Sequence, residues 1–533
     1  MTTRGCWLES SQKYSMNLTE EQRVVVEAPL VPGQTRKVVA GAGTGKSTML
    51  EELVRANSHL KFLYLGFNRS VRERARGTFP SNANCQTFNS LAYGSVGRKY
   101  ENIVNNVSFR SIRYKFKVNM AQAASIRATL DAFLNSREEG PDMRHVFVHP
   151  KLKGCDFEER ILDCASELWK IMVSGDNKFI RMTHSGCLKL FQKEAQFLGY
   201  DSVLGDEFQD VNPVCLSIIE RQLEGGSSVV LVGDPRQQIY SWRGAVDAMQ
   251  NLDCEEFRLT NSFRFGKQIA WMANKLLSSY GISLFDLNGV STTGDKLFNL
   301  SIPDERRVGS HAVLSRTNVG AFSAIIELMD GGESVAFNGD INVFTGALLD
   351  IFNLKLGRSD LVAKKGRIGG YDNYSDFLDV CQVDSEMNSL NNIMETFKER
   401  TPEMIERIND GLVRDIKLAD SIVTTAHKAK GGEFDSVTLW DDFPPLVRDG
   451  KMLPIKRSSE QKRGECIDQE ELHLSYVAVT RAKTSLALSP QLKDLVDLLR
   501  NNPSPGFFEP DNRHASAMAG FYDGEDEGFE NEH

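Results

Sequence analysis

The chain has 533 residues, 41% apolar and 25% charged, an ordinary globular composition with room for three or four domains. Its net charge of −9 is concentrated, because residues 501–533 hold eight acids against Arg513 alone and leave −2 for residues 1–500, a near-neutral body that can still carry a basic groove. Nine cysteines without a C-x-x-C pair suggest neither a disulfide framework nor a zinc site, and with no long apolar run or signal-peptide layout the reading is a reducing compartment and no membrane partner.

Residues 1–17 are polar and read as loose. Leu18-Thr19-Glu20-Glu21-Gln22 then starts a helix, with Thr19 as N-cap and Gln22 as its capping-box partner. The Gln22 amide would equally suit adenine, since it donates and accepts on one base edge. Both readings stand at this point. Val38–Ala40 predicts a strand that breaks into Gly41-Ala42-Gly43-Thr44-Gly45-Lys46-Ser47-Thr48, and the spacing of Met49, Leu50, Leu53 and Val54 predicts a following helix. Glycines let successive N–H groups turn toward phosphate oxygens, and the helix N-terminus adds its positive dipole end. In such a loop Lys46 would neutralise the β and γ phosphates of a nucleotide, and Ser47 would hold Mg²⁺.

Phe62–Phe67 predicts a second strand, followed by Asn68 and a basic helix start, and Gln86–Ser90 ends another strand. Strands alternating with helices imply a parallel, doubly wound sheet with ligands at the strand C-termini. Arg98–Asn119 interleaves Arg110, Arg113, Lys115 and Lys117 with Tyr100, Phe109, Tyr114 and Phe116. That suits single-strand binding, and it suits solvated charge over a small aromatic core as well. Helical periodicity over Met120–Leu134 opens an inserted, mostly helical segment.

Ser202–Leu204 predicts a strand ending in Asp206-Glu207, where one acid can hold Mg²⁺ opposite Ser47 and the next can polarise a water. Ser228–Val232 predicts another, ending in Gly233-Asp234-Pro235-Arg236-Gln237-Gln238-Ile239-Tyr240-Ser241-Trp242-Arg243-Gly244. The second half repeats the alternation less clearly, with strands at His311–Leu314 and Ser436–Trp440, and residues 335–418 read as a second helical insertion. Glu470–Leu486 reads as one helix containing Thr480-Arg481-Ala482, and the acidic end as disordered.

GAGTGKS, DEFQD, VGDPRQQIYSWRGA, SFRF, TAHKAKGGEF and YVAVTRAK occur in the order seen in UvrD-type (superfamily 1A) DNA helicases, and LTNSFRFG and AHKAKG most resemble the helicase portion of the F-box DNA helicase family. The departures are Gly205 before the acids, Phe208 for a usual Ala, Asn89 for a usual His and Gly432 for a usual Leu. A helicase reading that begins almost at once leaves no room for an F-box, so no ubiquitin-ligase partner is expected. The resemblance implies two RecA-like doubly wound α/β lobes with P-loop chemistry and a helical insertion in each. Its boundaries would be 18–97 with 187–265 for the first lobe and 98–186 for its insertion. They would be 266–334 with 419–495 for the second lobe, 335–418 for its insertion and 496–533 for the tail.

The resemblance also implies residue roles. Gln22 would read adenine, Phe263 stack on it and Glu433 contact ribose, with Ala42, Gly43, Thr44, Gly45, Lys46, Ser47 and Thr48 around the phosphates. Ser47 and Asp206 would hold Mg²⁺, Glu207 would act on water, Gln237 would sense the γ-phosphate, and Arg264 and Arg481 would be arginine fingers. Asn68, Thr87, Phe88, Tyr240, Trp242, Arg243, Arg316 and His427 would meet DNA. The implied activity is 3′ to 5′ movement on single-stranded or tailed duplex DNA in a nucleus, in repair or recombination. The alternative is a translocase that clears proteins such as recombinase filaments with little strand separation.

Overall fold

The computed structural model describes residues 17–154, 157–194, 197–240, 249, 252–307, 309–364, 366–457, 461, 464–502 and 506–507. Short apolar runs alternating with amphipathic helices build two six-stranded sheets in which every neighbouring pair is parallel. The first holds β1 (Thr35–Ala40), β2 (Phe62–Gly66), β3 (Ala83–Thr87), β4 (Ser202–Gly205), β5 (Ser228–Gly233) and β6 (Glu255–Leu259), in the order β3-β2-β4-β5-β1-β6. The second holds β7 (Lys296–Asn299), β8 (His311–Ser315), β9 (Val335–Phe337), β10 (Ser421–Thr425), β11 (Phe434–Leu439) and β12 (Ala482–Leu488), in the order β9-β10-β8-β11-β12-β7. The strands β2, β4, β5, β8 and β10 are buried along their whole length, as parallel strands covered on both faces must be.

Helices Phe109–Phe116, Met120–Leu134 and Glu158–Ser174 lie between β3 and β4, and helices Ile341–Lys355, Tyr374–Cys381, Ser385–Phe397 and Thr401–Gly411 between β9 and β10. The two helical segments meet through ion pairs of one polarity. Arg113 lies 2.9 and 3.2 Å from Asp372 and Asp376, and Arg127 lies 2.8 Å from Asp384. Phe109 is buried and Lys115 and Lys99 lie near acids at Glu167 and Glu194, while Tyr114, at 84% exposure, stays open together with Arg98, Arg110 and Lys117.

Several expectations are corrected. Val335–Phe337 is a strand of the second sheet, paired with Ser421–Val423, so the helical insertion begins after it and not at 335. The boundary at 186/187 falls inside helix His184–Glu194. Gln86–Ser90 does not end as a strand: β3 stops at Thr87, whose hydroxyl caps helix Phe88–Ser95 through Ser90 N at 3.1 Å. The helix predicted over Glu470–Leu486 is helix Gln469–Val479 followed by strand β12, because pairing with β11 on one side and β7 on the other outweighs the helix propensity of its alanines and leucines. Residues 496–501, predicted as tail, are helical, and the rest of that expectation from 508 on lies outside the described residues. Helix Pro490–Asn501 buries Leu492, Leu495 and Val496, and Phe507 bridges to Met452 with its ring 6.1 Å from Tyr280.

Candidate active site between the lobes

Everything implicated in phosphate chemistry sits where the strands of the first sheet end. After β1 the chain turns through Gly43 and Gly45, both at positive φ (74° and 77°), where a side chain would be strained. Space forbids one as well: a Cβ at Gly43 would come within 2.6 Å of Arg264 and Ser262, and one at Gly45 within 2.7 Å of Gln22. Thr44 Oγ1 donates to Gly41 O at 2.9 Å and braces the loop. Helix Lys46–Ala56 follows with Gly45 as its N-cap and no side chain capping it, which leaves its first-turn N–H groups to a ligand. Ser47 and Thr48 are half-buried on this first turn.

The two acids follow β4. Glu207 lies 3.6 Å from Lys46 and takes a left-handed backbone (φ 52°), a strained conformation that turns its carboxylate toward the loop. Asp206 is anchored on both oxygens, by Tyr64 Oη at 2.6 Å and by Glu207 N at 2.9 Å. Burial pushes the Glu207 carboxyl up, but Lys46 and Lys430 outweigh it and leave it low; Asp206, buried beside that charge, is pushed up. One departure from the family pattern explains another. A Cβ at Gly205 would fall 2.8 Å from the Phe208 ring, so the ring occupies the room a side chain at 205 would need.

Gln237 is 4% exposed, and its neighbours dictate which way its amide points. Asp234 can only accept, so Gln237 Nε2 donates to Asp234 Oδ2 at 2.9 Å; Arg481 can only donate, so its Nη2 faces Gln237 Oε1 at 3.4 Å. The same Asp234 oxygen accepts from Tyr476 Oη at 3.0 Å, across the cleft. Arg481 is 1% exposed and also donates to Val477 O and Gly432 O. Burial, then Arg264, pull its pKa down, against the charge of Glu207. Lys430, from the segment after β10, pairs with Asp210 and reaches Gln237 O. Arg264 donates to Glu433 at 3.0 Å and to Thr480 O at 2.9 Å, and Lys483 lies 3.1 Å from Glu433. Glu433 is thus engaged by two cations in this state.

The base side differs. Gln22 makes the capping box with Thr19, and its Nε2 also donates to Thr44 O at 3.0 Å, which sets its amide against the phosphate loop. Phe263 is 50% exposed with its ring beside Gly45, and its N–H donates to Gly43 O at 2.9 Å.

Of the residues expected at DNA, Tyr240 and His427 come together from the two lobes, their rings 6.4 Å apart, and Tyr240 stacks on Phe67 at 5.9 Å. Asn68 is exposed and caps helix Arg69–Thr78. Phe88 is corrected to a core residue at 8% exposure, and Arg316 is held in a two-pronged pair by Glu471, so neither presents a free group to a strand in this state. Trp242 and Arg243 lie outside the described residues. Sequence reasoning assigned no role to Tyr64, Asp234, Lys430 or Tyr476. Asp234 and Tyr476 stood inside quoted motifs, and a fixed polar residue next to a catalytic one was the available signal.

A phosphate loop on one parallel-sheet lobe, faced by a buried arginine from a second, defines a two-lobed P-loop nucleotide-binding protein with a composite site. Residues 155–256 match the UvrD/REP helicase N-terminal domain and residues 371–493 the UvrD-like helicase C-terminal domain, so the chain carries both domains of a UvrD-like helicase. It is 33% identical to F-box DNA helicase 1 of Gallus gallus, over 92% of this chain and 50% of that protein. To F-box DNA helicase protein 1 of Schizosaccharomyces pombe it is 29% identical, over 90% of this chain and 58% of that protein. To ATP-dependent DNA helicase PcrA of Bacillus subtilis it is 22% identical, over 54% and 46%. The chain spans about half the length of these relatives.

Proposed function

We propose that the chain is an ATP-dependent DNA helicase that moves 3′ to 5′ along one strand, acting on single-stranded and tailed duplex DNA in the nucleus, in repair or recombination. The observation that carries this reading is the short segment Gln237–Tyr240. Its first residue is bonded to Arg481 of the second lobe, and its last stacks on Phe67 and meets His427. One stretch of chain therefore touches both the phosphate end of the cleft and an aromatic platform suited to bases. The relatives named as DNA helicases support the substrate class.

ATP fits the phosphate loop, and Mg²⁺ fits the hard oxygen donors offered by the Ser47 hydroxyl and the anchored Asp206 carboxylate. When bound, the metal would supply charge neutralisation between phosphates. Lys46 binds phosphate, and Glu207, held anionic by Lys46 and Lys430, orients and deprotonates the attacking water. Arg481 and Arg264 bring fixed donors to the charge that develops on transfer, and Arg264 must first leave Glu433. Loss of these cross-cleft bonds lets the lobes part, and the strand advances.

The test is DNA-stimulated ATP hydrolysis measured beside unwinding of 3′-tailed and 5′-tailed duplexes. Hydrolysis with 3′-tail unwinding is expected. Hydrolysis with release of a strand-bound protein but no unwinding would favour the displacement reading, and hydrolysis indifferent to DNA would remove both.

A further inference from the structure

The nucleobase subsite is assembled from two segments far apart in sequence, helix Glu20–Glu27 with Gln22 and the stretch after β6 with Phe263. One side chain ties them. Glu21 Oε1 accepts from Thr260 Oγ1 at 2.5 Å, and Glu21 Oε2 accepts from Thr260 N at 2.9 Å and from Asn261 Nδ2 at 3.2 Å. Both carboxylate oxygens are spent on two adjacent residues of that stretch. Phe263 follows two residues later, and its N–H holds Gly43 O at 2.9 Å. On the other side of the tie, Gln22 Nε2 holds Thr44 O at 3.0 Å. A Cβ at Gly45 would lie 2.7 Å from Gln22 Nε2 and 3.8 Å from the Phe263 ring, so the two walls converge on one point of the phosphate loop.

We propose that Glu21 is a specificity-setting residue: by clamping Thr260 and Asn261 to the helix that bears Gln22, it fixes the edge-reading amide relative to the stacking ring and so decides which purine is accepted. This rests on the reading that the base lies between Gln22 and Phe263. The two contacts differ in tolerance. Stacking survives sliding of a flat base, whereas a hydrogen bond weakens steeply once its angle or length drifts. The amide has little to spare. Gln22 Oε1 already accepts from Thr19 N at 3.0 Å and Nε2 already donates to Thr44 O, leaving one donor and one lone pair for a base edge. Loosening the clamp therefore costs discrimination between adenine and guanine before it costs nucleotide binding itself. Glu21 is half-buried on a short helix, where alanine is well tolerated by the backbone, so removal of its carboxylate leaves the helix in place.

The experiment uses the full chain with saturating single-stranded DNA, and compares KM and kcat for ATP and GTP, and inhibition by inorganic tripolyphosphate, in Glu21→Ala, Glu21→Gln and Gln22→Ala. Glu21→Ala is expected to raise KM for ATP by about tenfold while moving KM for GTP and kcat less than about twofold, the size of effect that one or two base-edge hydrogen bonds provide. Tripolyphosphate, which has no base, should inhibit the variant and the parent alike, and Glu21→Gln, which keeps one acceptor oxygen, should fall between them. A purely structural tie would instead lower the melting temperature and leave the ATP-to-GTP ratio of KM untouched. That outcome, or an equal rise for both nucleotides, overturns the proposal. If Gln22→Ala shifts the ratio and Glu21→Ala does not, the role of Glu21 alone is lost. If Gln22→Ala leaves the ratio unchanged, the base subsite itself has been misplaced, and the proposal falls with it.

Discussion

The two ends of the cleft are built on opposite plans. At the phosphate end Asp206, Gln237 and Arg481 are 5%, 4% and 1% exposed, and each is held by two or more hydrogen bonds before any ligand arrives. At the base and strand end Phe263 is 50% exposed, and Tyr240 and His427 are half-buried with their rings loosely spaced. Developing charge is stabilised best by dipoles that are already oriented and shielded from water. A flat base needs an open face and gains about 1 to 3 kcal/mol by stacking wherever it lands. Burial thus marks Asp206, Gln237 and Arg481 among the residues that act on charge, and exposure marks the stacking ring Phe263.

The largest effect should follow from substitution at the buried end. Glu207→Gln is expected to keep nucleotide binding and lose hydrolysis by about 10² to 10⁴-fold, the range for a positioned general base, while Lys46→Ala abolishes hydrolysis. Single-turnover hydrolysis beside equilibrium nucleotide binding checks both, and appreciable turnover in either variant breaks the assignment. Arg481→Ala should slow hydrolysis by about 10³-fold with far less change in ATP affinity. It should also lower the melting temperature, because Val477 O and Gly432 O each lose a buried donor. A variant that loses only affinity would show a ground-state contact instead.

The open end should behave differently. Phe263→Ala is expected to raise KM for ATP by about tenfold, the value of one lost stack, without a change in melting temperature, since half the ring already faces solvent. A drop of several degrees would mean that exposure does not separate gripping residues from structural ones. Tyr476→Phe tests the seam between the lobes: it removes one donor from Asp234, keeps the ring beside Arg236, and should reduce kcat by about three- to tenfold with KM unchanged. The smallest effect concerns the chain end. Truncation after Asn502 removes the half-exposed Phe507 from Tyr280 and Met452, and should cost about 1 kcal/mol in a urea melt with hydrolysis unaltered.

Much of this was written locally in the chain. A glycine-rich turn between an apolar strand and an amphipathic helix specifies a phosphate loop from neighbouring residues alone, and so does a capping box at Thr19 and Gln22. The acids after β4 stand out for the same reason, at the end of a predicted strand, whereas the role of Arg481 came from the resemblance alone and the residue was read inside one long helix. What the sequence could not decide was anything that depends on which strands become neighbours. Ala482–Leu488 has the composition of a helix and is a strand only because β11 and β7 lie on either side of it; Val335–Phe337 joins the second sheet only because β10 offers an edge. Phe88, which the resemblance placed at DNA, is buried by the core that forms around it. The orientation of the Gln237 amide and the clamp from Glu21 to Thr260 belong to this second kind. Each needs a donor and an acceptor brought together by the fold, and no local pattern records a partner that lies in another lobe or more than two hundred residues away.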